Sequence, residues 1–208
     1  MTEKLSQLDC CTFTQQLASK APVPGGGGAA ALTAAAAASL CAMAGNLTVG
    51  KKKYAAVQTQ LQQNIESCEQ LRVRFLALID EDAQAFMPLQ QAYSIPKDDP
   101  ARSEVILKAS IGAAQAPLEM LRCCDALSVL IEDMASLCSP LVVSDAGCAA
   151  SLCAGAAEAA AMNVFINVSG LEETAELEKE AAELLAGCRK RAAEVAAAVM
   201  RRVRKEDV

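Results

Sequence analysis

Thirty consecutive residues, Ala21 to Gly50, carry no charge and are dominated by alanine and glycine. This stretch constrains the fold more than any other. Alanine is the strongest helix former, so the segment reads as one long helix ending near residue 47, and an apolar helix needs cover on every side. The length would also span a bilayer. Thr33, Ser39, Asn46 and Thr48 make its transfer into lipid marginal, however, so a buried helix at the centre of an oligomer is the expectation.

The segment opens with Pro22-Val-Pro-Gly-Gly-Gly-Gly28 and is closed by Lys51, Lys52 and Lys53. Gly25, Gly26, Gly27 and Gly28 leave the backbone free to adopt positive φ. A bare glycine loop running into a helix exposes unsatisfied N–H groups at the positive end of the helix dipole, which predicts an anion site. The lysines add positive charge at the far end. Two other readings remain: solvated lysines that complement the dipole, and a glycine turn that allows close packing.

Composition narrows the rest. The chain of 208 residues is long enough for one full core, and 53% of it is hydrophobic but only 3% aromatic, so small and medium aliphatic side chains must build that core. A net charge of −6, without basic stripes interleaved with aromatics, argues against nucleic acid. The ten cysteines occur as adjacent pairs or on apolar helical faces and do not suggest a disulfide framework. No histidine and no C-x-x-C is present, so no metal site is expected. The amino terminus lacks the apolar stretch of a signal peptide, which predicts a cytoplasmic protein without a membrane span.

Every periodic signal is helical, which predicts a single all-α domain over residues 1–208, a bundle of long helices. Helices are expected over about 4–19, from the glycines to 47, 53–87, 100–137 and 144–167. The fourth is capped by Asp99-Pro100 and bent at Pro117. Ser169-Gly-Leu-Glu172 has capping-box spacing and should open the last helix. In that helix, apolar positions 177, 181, 184, 188, 192, 195 and 199 share a face.

Without histidine, proton transfer falls to Asp, Glu, Lys, Cys or Tyr. Asp82 stands out because it continues the apolar line through Phe75, Ile79 and Phe86. An unpaired carboxylate there would have its pKa raised by desolvation, whereas pairing with Arg72 or Arg74 would make it a structural ion pair. A second group is Ser144 and Asp145 with Asn163 and Asn167. Asp145 and Asn163 share a helix face but are ~27 Å apart at about 1.5 Å per residue, so one small ligand does not touch both. Ser144 or Asp145 also reads as an N-cap. The two asparagines need partners if buried, from backbone or from a heteroaromatic ligand.

Pro22-Val-Pro-Gly-Gly-Gly27, Leu47-Thr-Val-Gly-Lys-Lys-Lys-Tyr54, Asp80-Glu-Asp-Ala-Gln-Ala-Phe86, Pro96-Lys97, Ser144-Asp145 and Asn163-Val-Phe-Ile-Asn167 occur in that order. Over nearly its whole length the chain resembles the cyclodeaminase/cyclohydrolase family. That family includes the carboxy-terminal domain of formimidoyltransferase-cyclodeaminase and free-standing methenyltetrahydrofolate cyclohydrolases. The resemblance implies an all-helical homodimer with a tetrahydrofolate derivative as substrate near the subunit interface, no permanently bound cofactor, and Asp82 as the catalytic residue. It further implies substrate contacts from Gly25 to Gly28, Lys51 to Lys53, Ser144, Asp145, Asn163 and Asn167. Two departures stand out: Gly28 replaces the family's serine, and Cys138-Ser139 replaces a Gly-Asn.

Two reactions follow from the resemblance. The expectation leans to closure of 5-formimidoyltetrahydrofolate to 5,10-methenyltetrahydrofolate with loss of ammonia, either beside a separate formimidoyltransferase in histidine degradation or in general folate one-carbon traffic. The alternative is hydration of the methenyl compound to 10-formyltetrahydrofolate. A third reading, prompted by the two departures, is a non-catalytic folate-binding or scaffold protein.

Overall fold

A computed structural model describes residues 4–205, and among these there are six α-helices and no strand. They are α1 (Cys10–Leu17), α2 (Gly26–Asn46), α3 (Gln58–Tyr93), α4 (Arg102–Leu137), α5 (Val143–Val168) and α6 (Ala175–Arg204). α2 packs between α3 and α5; α4 packs against α3, α5 and α6. The all-α bundle is as expected, with differences at several helix ends.

The alanine helix turns most of its surface into the monomer and leaves one stripe exposed. Ala31, Ala37, Ala38, Cys41 and Ala44 are fully buried among Phe75, Leu78, Leu121 and Val164. Small residues let the axes approach. A Cβ on Gly45 would lie 2.6 Å from Ile65 Cγ1, and one on Gly147 would lie 2.7 Å from Val199 Cγ1. α2 and the segment Pro140–Val168 are long and apolar enough to cross a membrane, but each gives one face to neighbouring helices here.

The expected first helix is broken, because the Asp9 carboxylate accepts the N–H groups of Cys11 and Thr12 and so starts α1 at Cys10. α3 runs six residues past Met87, through Pro88 to Tyr93. A proline removes one ladder bond, and Gln84, whose carbonyl loses it, is solvent-exposed. Upstream, Lys52–Val57 forms a 3₁₀ turn instead of the helix start. Pro117 lies within a continuous α4. The expected capping box is absent. Ser169 is the extended residue ending α5, and its hydroxyl bonds Glu178, not Glu172. Gly170, at φ 83°, turns the chain, and the Thr174 hydroxyl donates to Val168 and Leu171 carbonyls to set the start of α6. The final face is as expected, with Ala181, Cys188, Ala192, Val195 and Val199 buried. All ten cysteines are unpaired.

Candidate active site

Asp82 meets the beginning of α2. Its carboxyl group accepts the backbone N–H of Gly28, and the Gly27 Cα lies directly against it. The neighbouring acids are engaged elsewhere: Asp80 takes the Ser6 hydroxyl at 2.5 Å, and Glu81 pairs with Arg74. Arg72 pairs with Glu69. Among the described residues no ion pair involves Asp82, so the structural ion-pair reading is excluded. Burial pushes its pKa up to about 6, against a smaller downward pull from the Gly28 N–H.

Around Asp82 lies a cavity of about 370 Å³. α3 supplies Asp82, Phe86, Leu89 and Tyr93, which share a face at spacings of four, three and four. α5 adds Asn163, Ile166 and Asn167; α4 adds Ala113 and Pro117; the segment entering α2 contributes Pro22, Val23 and Gly25 to Gly27. No Lys or Arg lines the cavity. Asn163 Nδ2 donates to the Ala159 carbonyl and Asn167 Nδ2 to the Asn163 carbonyl, both at 2.8 Å. These bonds orient the carboxamides. Each keeps its Oδ1 and a second N–H for a ligand.

The structure therefore brings Gly25, Gly26, Gly27, Asp82, Asn163 and Asn167 to one site. It corrects the picture of the four glycines as a bare loop. Gly26 to Gly28 are the first helical residues of α2, and the Gly28 amide is taken by the protein's own Asp82. A side chain at position 28 would face Pro24, Ile79 and Phe13, so the missing serine hydroxyl is not lost from the cavity.

Lys51, Lys52 and Lys53 lie past the other end of α2, exposed, with Lys53 Nζ 5.8 Å from the Tyr54 ring centre. Ser144 and Asp145 are at that same end. Thr48 Oγ1 accepts the Ser139 N–H at 2.9 Å and so ties the end of α2 to the start of α5. Ser144 and Asp145 do not cap α5: its N-cap is Val142, and both sit within the first turn. Within one chain, these five residues are about 30 Å from Asp82 along α2 or α5. Leu89, Tyr93, Pro117 and Ile166 were not anticipated. The spacing from Asp82 to Tyr93 was readable, but Pro88 hid the helix that carries it.

The formiminotransferase-cyclodeaminase family model matches residues 9–186. The chain belongs to that family. A methenyltetrahydrofolate cyclohydrolase of Methylorubrum extorquens is 40% identical over 83% of this chain and 85% of its own length. The formimidoyltransferase-cyclodeaminase of Sus scrofa is 27% identical over 79% of this chain, which spans 31% of that longer protein. The solved structure of formiminotetrahydrofolate cyclodeaminase from Thermotoga maritima superposes with a TM-score of 0.83 at 26% identity, covering 95% of this chain and all of that one. This family member is a folate one-carbon enzyme, a cyclodeaminase or a cyclohydrolase.

Proposed function

We propose that the chain is a methenyltetrahydrofolate cyclohydrolase in which Asp82 is the general base. The observation that carries this reading is the half-buried Asp82 carboxyl group, without an ion-pair partner, in a cavity with no cationic side chain. With its pKa raised to about 6, the group can still lose its proton near neutral pH. A carboxylate suits hydration of the cationic methenyl carbon. It attracts the positive substrate and takes a proton from the attacking water. The C–O bond forms, the proton held by Asp82 passes to folate N5, and the C–N5 bond breaks. The second water proton leaves for solvent as the 10-formyl group forms. The 40% identity to a protein named for this reaction, over most of both lengths, supports the same choice.

The deaminase reading rests on the Thermotoga maritima likeness. It asks Asp82 to protonate departing ammonia, a role for the neutral form that burial favours. Asn163 and Asn167 suit the hydrogen-bonding edge of a pterin, beside Phe86 and Tyr93.

The lysines and Ser144-Asp145 join the site if two copies pair antiparallel. The exposed stripes of the neighbouring helices α2 and α5 support such a homodimer. Ala36, Ser39, Met43 and Leu47 on one, and Cys148, Ser151, Gly155 and Met162 on the other, are all uncharged. Lys51 to Lys53 of a second copy would then receive the glutamate carboxylates of folate.

The absorbance of 5,10-methenyltetrahydrofolate tests the assignment. Wild type should accelerate its loss above spontaneous hydrolysis, and Asp82→Asn should abolish that acceleration while still binding folate. Appearance of the chromophore from 5-formimidoyltetrahydrofolate, without accelerated loss, would instead establish the deaminase. Folate binding without turnover in either direction would leave a binding protein.

A further inference from the structure

One carboxyl group fills the volume that a side chain at position 27 would need. A Cβ built on Gly27 would lie 2.5 Å from both Cγ and Oδ2 of Asp82, with Oδ1 against it as well. Packed proteins do not tolerate such an approach, and a short aspartate has little freedom to bend away. The neighbouring glycines differ. Gly25 would meet nothing within 4 Å, Gly26 would meet Asn163 Nδ2 at 3.1 Å, and Gly28 would meet Pro24 Cβ at 3.1 Å. Alanine would favour the helix at any of the three positions in its first turn. At position 27 that gain is set directly against the position of Asp82.

We infer that Gly27 is a positioning residue: its missing side chain is the seat of the Asp82 carboxyl group, and the Gly28 N–H fixes the group's orientation there. The inference rests on the reading of Asp82 as the base. The seat sets the carboxyl group beside the Gly28 amide in the lining of the cavity. It also gives the positive end of the α2 dipole to the enzyme's own carboxylate. A side chain at position 27 would meet the carboxyl group before any other side chain and push it off this seat.

The test is a four-protein cycle on the full chain: wild type, Gly27→Ala, Asp82→Ala and the double variant. Gly112→Ala, exposed on α4 with nothing within 4 Å, serves as the control. Gly27→Ala should lower kcat for methenyltetrahydrofolate hydrolysis by about 10²-fold. KM should change little, and the acid limb of the kcat profile should move from near pH 6. The thermal midpoint supplies a readout independent of activity. Gly27→Ala should lower it when Asp82 is present and raise it in the Asp82→Ala background, where the seat is empty and only the helical preference of alanine remains. Wild-type kcat and acid limb in Gly27→Ala would overturn the inference, as would midpoint shifts of one sign in both backgrounds. Should Gly27→Ala fail to fold while the double variant folds, the seat is supported by that contrast. Should the midpoint shifts reverse sign while Asp82→Ala keeps full turnover, the seat stands and the reading of Asp82 as base falls.

Discussion

Asp82 shows how far a single side chain can be read from its neighbours in sequence. Its period with Phe75, Ile79 and Phe86 placed it on the inner face, and both Phe75 and Ile79 are buried as that period requires. Its partner could not be read. Gly28 is more than fifty residues away, and nothing local says that the start of α2 abuts the middle of α3. The consequence for stability follows from the raised pKa. The folded group titrates at about 6 and an ordinary one at 3.8, so between these values the folded state holds more protons. The contribution of Asp82 to stability therefore falls as pH rises from about 4 to about 6 and is flat above that. Asp82→Asn should stabilise the protein at pH 8 by on the order of 1–3 kcal/mol, and the difference should vanish below pH 4. Urea denaturation of the two proteins at both pH values checks this.

At the scale of elements, helix type and approximate extent were legible because the 3.6-residue period is a local property. The misses share a cause. The expected end of α3 at Met87 gave Pro88 more weight than one lost ladder bond carries, and the capping box gave Ser169 a role that the Thr174 hydroxyl takes over. Close packing also sets what glycine does within a helix. At Gly45 an added methyl group would press on Ile65 Cγ1 and would lie 2.8 Å from Met134 Cε, whereas Gly112 is open. Gly45→Ala should therefore cost about 1–2 kcal/mol despite the better propensity of alanine. Gly112→Ala should add about 0.5–1 kcal/mol. Denaturant midpoints of the two variants should move in opposite directions.

For the whole molecule, the lysines and the aspartate lie at opposite ends of α2, about 30 Å apart along its axis. Met162 is 65% exposed and Ile166 83%, beside the cavity and on the uncharged face of α5. Patches of this kind mark association surfaces. Met162→Glu should split the proposed dimer, seen as a halved mass by sedimentation, and turnover should fall with the fraction of dimer. A monomeric variant with full turnover would show that Lys51 to Lys53 and Ser144-Asp145 are dispensable.

By itself the sequence determined an all-helical chain, the buried alanine helix, the inward direction of Asp82, and the family to which these motifs point. The first three follow from propensity and periodicity, which act within a few turns of helix, whereas the family follows from the resemblance of the ordered motifs. Only the tertiary structure decided that the glycines hold the protein's own carboxylate, that Arg74 serves Glu81 and not Asp82, and that Tyr93 and Ile166 border the same cavity. A period specifies which face of a helix is turned inward. Which residue of another helix meets that face depends on crossing geometry and side-chain volume, and these are properties of the packed whole.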